Sequence, residues 1–144
     1  MNEPWDPEAN RRLVAEMPKV YKPDGIGAGE GMTFYCGFAG PGSVFETGKK
    51  LPFADITDGV SITVAVVEAG EECIWTKPDN LPFDPSKPLP KLGGQFGGDF
   101  HVALCNGEVR LVSRQFDPEA FKKAVTRQGG EAFNSGDAFP PVGR

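Results

Sequence analysis

The sequence predicts an α+β fold: one domain over residues 1–144, with a mainly antiparallel sheet of about four strands, two short helices and a long proline-rich loop. Three observations predict it. Ser61 to Ala69 (SITVAVVEA) carries apolar residues on both of its alternating faces, the pattern of a central strand. Asn106-Gly107 separates two short β-prone runs, the pattern of a hairpin. Asp6-Pro7-Glu8 and Asp117-Pro118-Glu119 each combine a capping acid, a proline suited to the first helical position and an acid favoured at the positive end of a helix dipole.

Taken in order, the first helix is expected from Asp6 to about Met17, with Leu13, Val14 and Met17 on the face that packs on the sheet and Pro18 as its stop. Asp24 to Gly31 is a glycine-rich turn whose spacing fits neither the dinucleotide fingerprint nor the P-loop. Thr33 to Phe38 suits a first strand, closed by Gly40-Pro41-Gly42. Five prolines between Thr76 and Gly94 remove amide donors, so an ordered, irregular loop is expected there. Asp99 to Cys105 and Glu108 to Ser113 form the hairpin strands, joined by a two-residue turn with both Asn106 and Gly107 at positive φ. The second helix presents Phe121, Ala124 and Val125 on one face and ends near Gly129-Gly130. Residues 131–144 show no periodicity and are expected to lie along the surface or fray.

Composition narrows the function. Fifteen Lys and Arg against 20 Asp and Glu give a net charge of −5. With no basic run, the charge footprint of a nucleic-acid binder is missing. The longest apolar run, Ile62 to Val67, falls far short of the roughly 20 residues a membrane-spanning helix needs. Residues 1–20 lack the pattern of a secretory signal. The cysteines Cys36, Cys73 and Cys105 are odd in number and widely spaced in apolar surroundings, so buried free thiols are expected rather than a disulfide framework.

Candidate chemistry is sparse. His101 is the sole histidine, which removes multi-histidine metal sites and most hydrolytic triads; it reads as an ordinary strand residue, and no catalytic residue is assigned. Asp55 and Asp58-Gly59 lack the oxygen series of an EF-hand. Asp79 and Asp84 are the candidate ligands of an irregular calcium site; otherwise no cofactor is expected. Trp75 and Phe83 either form a recognition surface for a peptide or glycan, or pin the proline-rich loop onto the sheet, the reading favoured here. A hydrolase would require Glu68 paired with Glu71 or Glu72 across one cleft.

Phe53 to Ser61 (FADITDGVS), the loop Trp75 to Pro85 with Lys87 to Gly94, and the hairpin together resemble a bacterial family of prepilin-like proteins, domain of unknown function 1559. The likeness extends over most of the chain. Members carry an N-terminal prepilin leader and hydrophobic helix, and end in a motif of His, nine residues, then Asp-Gly in a hairpin. Here that motif aligns as Phe96, nine residues, then Asn106-Gly107, so both polar signature positions differ while the glycine and the spacing survive. The departure favours a structural role for these positions, since Asn106-Gly107 serves a turn equally well. Trp5 to Tyr21 is similar to the segment after the long prepilin helix, so Met1 resembles a start placed within the family's domain. The resemblance implies a pilin-like head, an envelope or extracellular address, and non-enzymatic structural or interaction work. It implies protein partners of a pilus or secretion-type assembly, and a monomer once the assembly helix is absent.

Overall fold

A computed structural model describes residues 8–22, 27–78, 80–93, 97–130 and 132–143. Helix α1 (Glu8–Arg11) precedes strands β1 (Met32–Cys36), β2 (Phe38–Ala39), β3 (Val64–Ile74), β4 (Leu81–Pro82), β5 (Phe100–Leu104) and β6 (Val109–Val112). Helices α2 (Pro118–Val125) and α3 (Ser135–Ala138) follow. β1, β3, β5 and β6 form a four-stranded sheet in the order β1-β3-β5-β6 with every neighbour antiparallel, so the predicted α+β class holds. β3 is internal, as its two apolar faces require, although it starts three residues later than expected and runs on to Ile74.

One face of this sheet is sealed. Val64 and Val67 of β3, Phe100, Val102 and Leu104 of β5 and Val112 of β6 meet Ala120, Phe121, Ala124 and Val125 of α2. Val64 and Val67 are three apart, yet both face inward because the pairing with β5 slips between Val64 and Val66. The Phe121 ring is the hub, with edge-on contacts to Phe116 at 5.2 Å, Phe100 at 5.7 Å, Phe139 at 5.9 Å and Phe38 at 6.2 Å between centroids. Asp117 caps α2 by accepting from the Glu119 amide at 2.9 Å, with Pro118 at the first helical position as the sequence indicated.

Several expectations need correction. The first helix breaks after Arg11 into a 3₁₀ turn, Arg12–Glu16; its expected cap, Asp6-Pro7, lies outside the described residues. With three residues per turn, Val14 and Met17 share a side and are half-buried, whereas Leu13 is rotated away and exposed. No residue of that turn is buried, so it does not cover the sheet. The first strand divides at Gly37, because β2 leaves the large sheet to pair in parallel with β4. The proline-rich loop therefore has a short ladder after all, in which Leu81 and Phe83 donate to the carbonyls of Gly37 and Ala39.

The hairpin exists with a different turn. Gly107 donates to the Leu104 carbonyl and Leu104 to the Glu108 carbonyl, so the loop is the three residues Cys105-Asn106-Gly107. Only Gly107 takes positive φ, at +86°; among the described residues no non-glycine does. Asn106 instead accepts from the Glu108 amide at 3.0 Å, while its own amide binds the Val60 carbonyl. The expected loose tail is also partly wrong: Asn134 caps α3, and Ala138 and Phe139 are buried in the core.

Candidate functional site

The pleat that seals one face of the sheet determines the other. Tyr35 of β1 pairs with Glu68 of β3, Val66 of β3 with Ala103 of β5, Ala103 with Val109 of β6, and His101 with Leu111. These residues share the face opposite the phenylalanine core. Among the described residues no helix covers them. Val109 is 62% and Leu111 42% exposed, which for large apolar side chains on a regular sheet marks an unfinished layer. The face is hollowed into a groove of about 680 Å³, lined by Tyr35, Val66, Glu68, His101, Ala103 and Val109 and rimmed by Val20 and Tyr21.

A clasp fixes the rim. A 3₁₀ turn, Lys19–Tyr21, presents Val20, which is 76% exposed, and stacks the Tyr21 ring on Trp75 at 5.6 Å. Trp75 Nε1 donates to the Val14 carbonyl at 3.0 Å, tying the N-terminal segment to the end of β3. Gly31, at φ +70°, permits the approach, since a Cβ there would collide with Val14.

Inside the groove lies one polar pair. Glu68 is buried, and its Oε2 accepts from the His101 amide at 2.7 Å and lies 3.0 Å from His101 Nδ1. With Nδ1–H as donor, the ring contact and the backbone amide both end on the same Glu68 oxygen. Such a pair orients a histidine. Among the described lining residues there is no Ser, Thr or Cys, and the side-chain polar groups beside the apolar area are this pair and the tyrosines Tyr21 and Tyr35. The sequence proposed Glu68 only as one half of a carboxylate pair and read His101 as ordinary. Their meeting depends on register, which the sequence does not print.

The other candidates fall as follows. Glu71 and Glu72 are exposed, and Glu72 accepts from the Gly29 amide at 3.1 Å, so neither shares the enclosed position of Glu68. Phe83 is buried against Phe38 at 5.9 Å and belongs to the core; Trp75 is half-buried in the clasp. Asp84 closes its own turn, accepting from the Ser86 hydroxyl at 2.7 Å and amide at 3.0 Å with Lys87 Nζ 3.3 Å away. The Ser86 hydrogen bonds, with Lys87, hold its carboxyl below the usual aspartate value. Asp79 and Phe96 lie outside the described residues, and among the described residues no cluster of three His, Cys, Asp or Glu could hold a metal. Asn106 and Gly107 serve the turn.

Asp58 has a structural partner that sequence reasoning missed. Its carboxylate accepts from the amides of Gly129 at 2.6 Å and Gly130 at 2.9 Å, latching the Phe53 to Val60 stretch to the end of α2. Arg127 beside it is buried, donating to the Ser43 carbonyl at 2.8 Å and pairing with Glu46 at 2.8 Å. Among the described residues no helix is long and apolar enough to cross a membrane. Comparison with family models, with curated proteins and with solved structures finds no match for this chain.

Proposed function

We propose that this chain is a non-enzymatic interaction domain, the head of a prepilin-like envelope or secreted protein, whose open sheet face receives an apolar helix of a protein partner in a pilus or secretion-type assembly. The single observation that carries the reading is the contrast within one sheet: a sealed phenylalanine core behind it and exposed Val109, Leu111 and Val20 in front. A half-covered sheet completes its second layer most simply with a helix. The groove fits such an occupant because its lining is mainly apolar and its rim is formed by a chain segment already lying over the same face. The Glu68–His101 pair offers one polar group within that lining, enough to favour a partner helix carrying a matching polar residue.

The test is site-specific photo-crosslinking from position 109 in the cells that make the protein, followed by sequencing of the attached peptide. The expected product carries an apolar helical segment of one partner protein, and L111K introduced alongside the crosslinker lowers its yield at least tenfold while stability changes by less than about 0.5 kcal/mol. Equal crosslinking by that variant would sink the reading. So would saturable glycan or peptide binding that depends on Trp75 and ignores Val109.

A further inference from the structure

Cys36 and Cys73 are far apart in sequence, one at the end of β1 and the other near the end of β3, and their Sγ atoms lie 3.1 Å apart. The approach is built by irregularity. Thr33 pairs with Cys73 and Tyr35 with Glu68, so two steps along β1 match five along β3. The surplus lies within Ala69 to Glu72, a bulge held by the buried Ala69 bridging to Leu92 and by Gly70 donating to the Lys91 carbonyl. In this register Cys73 lies opposite Thr33 and Cys36 opposite Val67, three positions apart along β1, and the bulge shortens the distance between them.

We infer that Cys36 and Cys73 form a reversible disulfide that staples β1 to the far end of β3. The sulfurs need to close by about 1 Å to reach bonding distance. Cys36 is 5% exposed, whereas Cys73 is half-buried, and this sets the order of steps. The Cys73 thiolate, its proton given to water, attacks one sulfur of a small disulfide such as oxidised glutathione; the S–S bond breaks and one glutathione thiolate leaves. The Cys36 thiolate then attacks the Cys73 sulfur of the mixed disulfide, expelling the second glutathione thiolate. Both departing thiolates take up protons, so two protein thiols are oxidised and one glutathione disulfide becomes two glutathiones. Cys105 is outside this chemistry: it sits in the hairpin turn, and burial pushes its thiol above the ordinary value, which disfavours the attacking thiolate.

The bond would close a loop holding β2, the Asp58 latch and most of β3, and it would sit two residues from Trp75 and its clasp on the N-terminal segment. Its stabilisation acts mainly by restricting the unfolded chain. The inference does not depend on the partner proposed for the sheet face, which the disulfide does not line.

The experiment exposes the purified reduced chain to oxidised glutathione, alkylates it in denaturant and reads intact mass, peptide map and melting temperature. The expected product has lost about 2 Da before alkylation, accepts label at Cys105 alone, yields a Cys36–Cys73 linked peptide, and melts about 10 °C higher until a dithiol is added. Cys105→Ser should leave the linkage intact. Cys73→Ser should abolish it, and because Cys73 is only half-buried this variant remains folded. Three alkylatable cysteines after oxidation, a lasting glutathione adduct, or a dimer joined through Cys105 would each overturn the inference.

Discussion

On one side of the sheet Phe121 touches four other phenylalanine rings and is fully buried; on the other, Val109 and Leu111 of the neighbouring hairpin strand face open space. The same strands build both sides. β5 sends Phe100, Val102 and Leu104 inward and His101 and Ala103 outward, so one five-residue segment takes part in the core and in the candidate site at once. The difference teaches that stability and recognition are separable here by residue parity. A substitution on the inward set should be felt in folding, and one on the outward set in binding.

The largest expected break in that comparison is Phe121→Ala, which removes the hub of the ring cluster and should cost about 4 kcal/mol in urea unfolding. Next is Glu68→Ala. It lies on the outward side yet is buried, and losing it strips the His101 amide of its acceptor, so about 2 kcal/mol is expected. A cost below about 0.5 kcal/mol would mean that the pair matters to a ligand and not to the fold.

Gly107→Ala should cost about 1 kcal/mol, since space is open around the glycine and only its positive φ opposes a side chain. The smallest effect concerns acid. Hydrogen bonds from Lys49 and then Arg127 hold the Glu46 carboxyl below its ordinary value of 4.5. A carboxyl lowered in the folded state contributes stability that is present above its unfolded value and disappears as pH falls through the folded one. Wild type and Glu46→Gln should therefore differ in melting temperature at neutral pH and converge in acid below that ordinary value; a constant gap across the titration would refute the assignment.

The inward side was largely legible. Phe121, Ala124 and Val125 recur at helical spacing behind an Asp-Pro start, and the alternation in SITVAVVEA placed β3 inside the sheet. The outward side was not, because it depends on register. Glu68 meets His101 only after the slip between Val64 and Val66, and Cys36 meets Cys73 only across the Ala69 to Glu72 bulge. The first has no local residue signature, and Gly70, where a Cβ would collide with Lys91, is the hint that the sequence carried of the second. The turn at Asn106-Gly107 was misjudged in detail because side-chain and backbone bonds to Glu108 and Val60 favour a longer loop over the two-residue form. The tail was misjudged because one buried aromatic, Phe139, outweighs the surrounding glycines and prolines.

That same Phe139 has a consequence for how the molecule is made. A chain synthesised from its N-terminus releases residues 135–139 after every strand of the sheet and after α2, and until then the Phe121 ring lacks one of its four neighbours. The strands and α2 emerge first, so the sheet and its outward groove can assemble ahead of α3, but the inward side stays unsealed until Phe139 follows. The newborn protein thus passes through a stage with apolar surface on both sides of one sheet, the stage at which chaperones and stray strands compete for it.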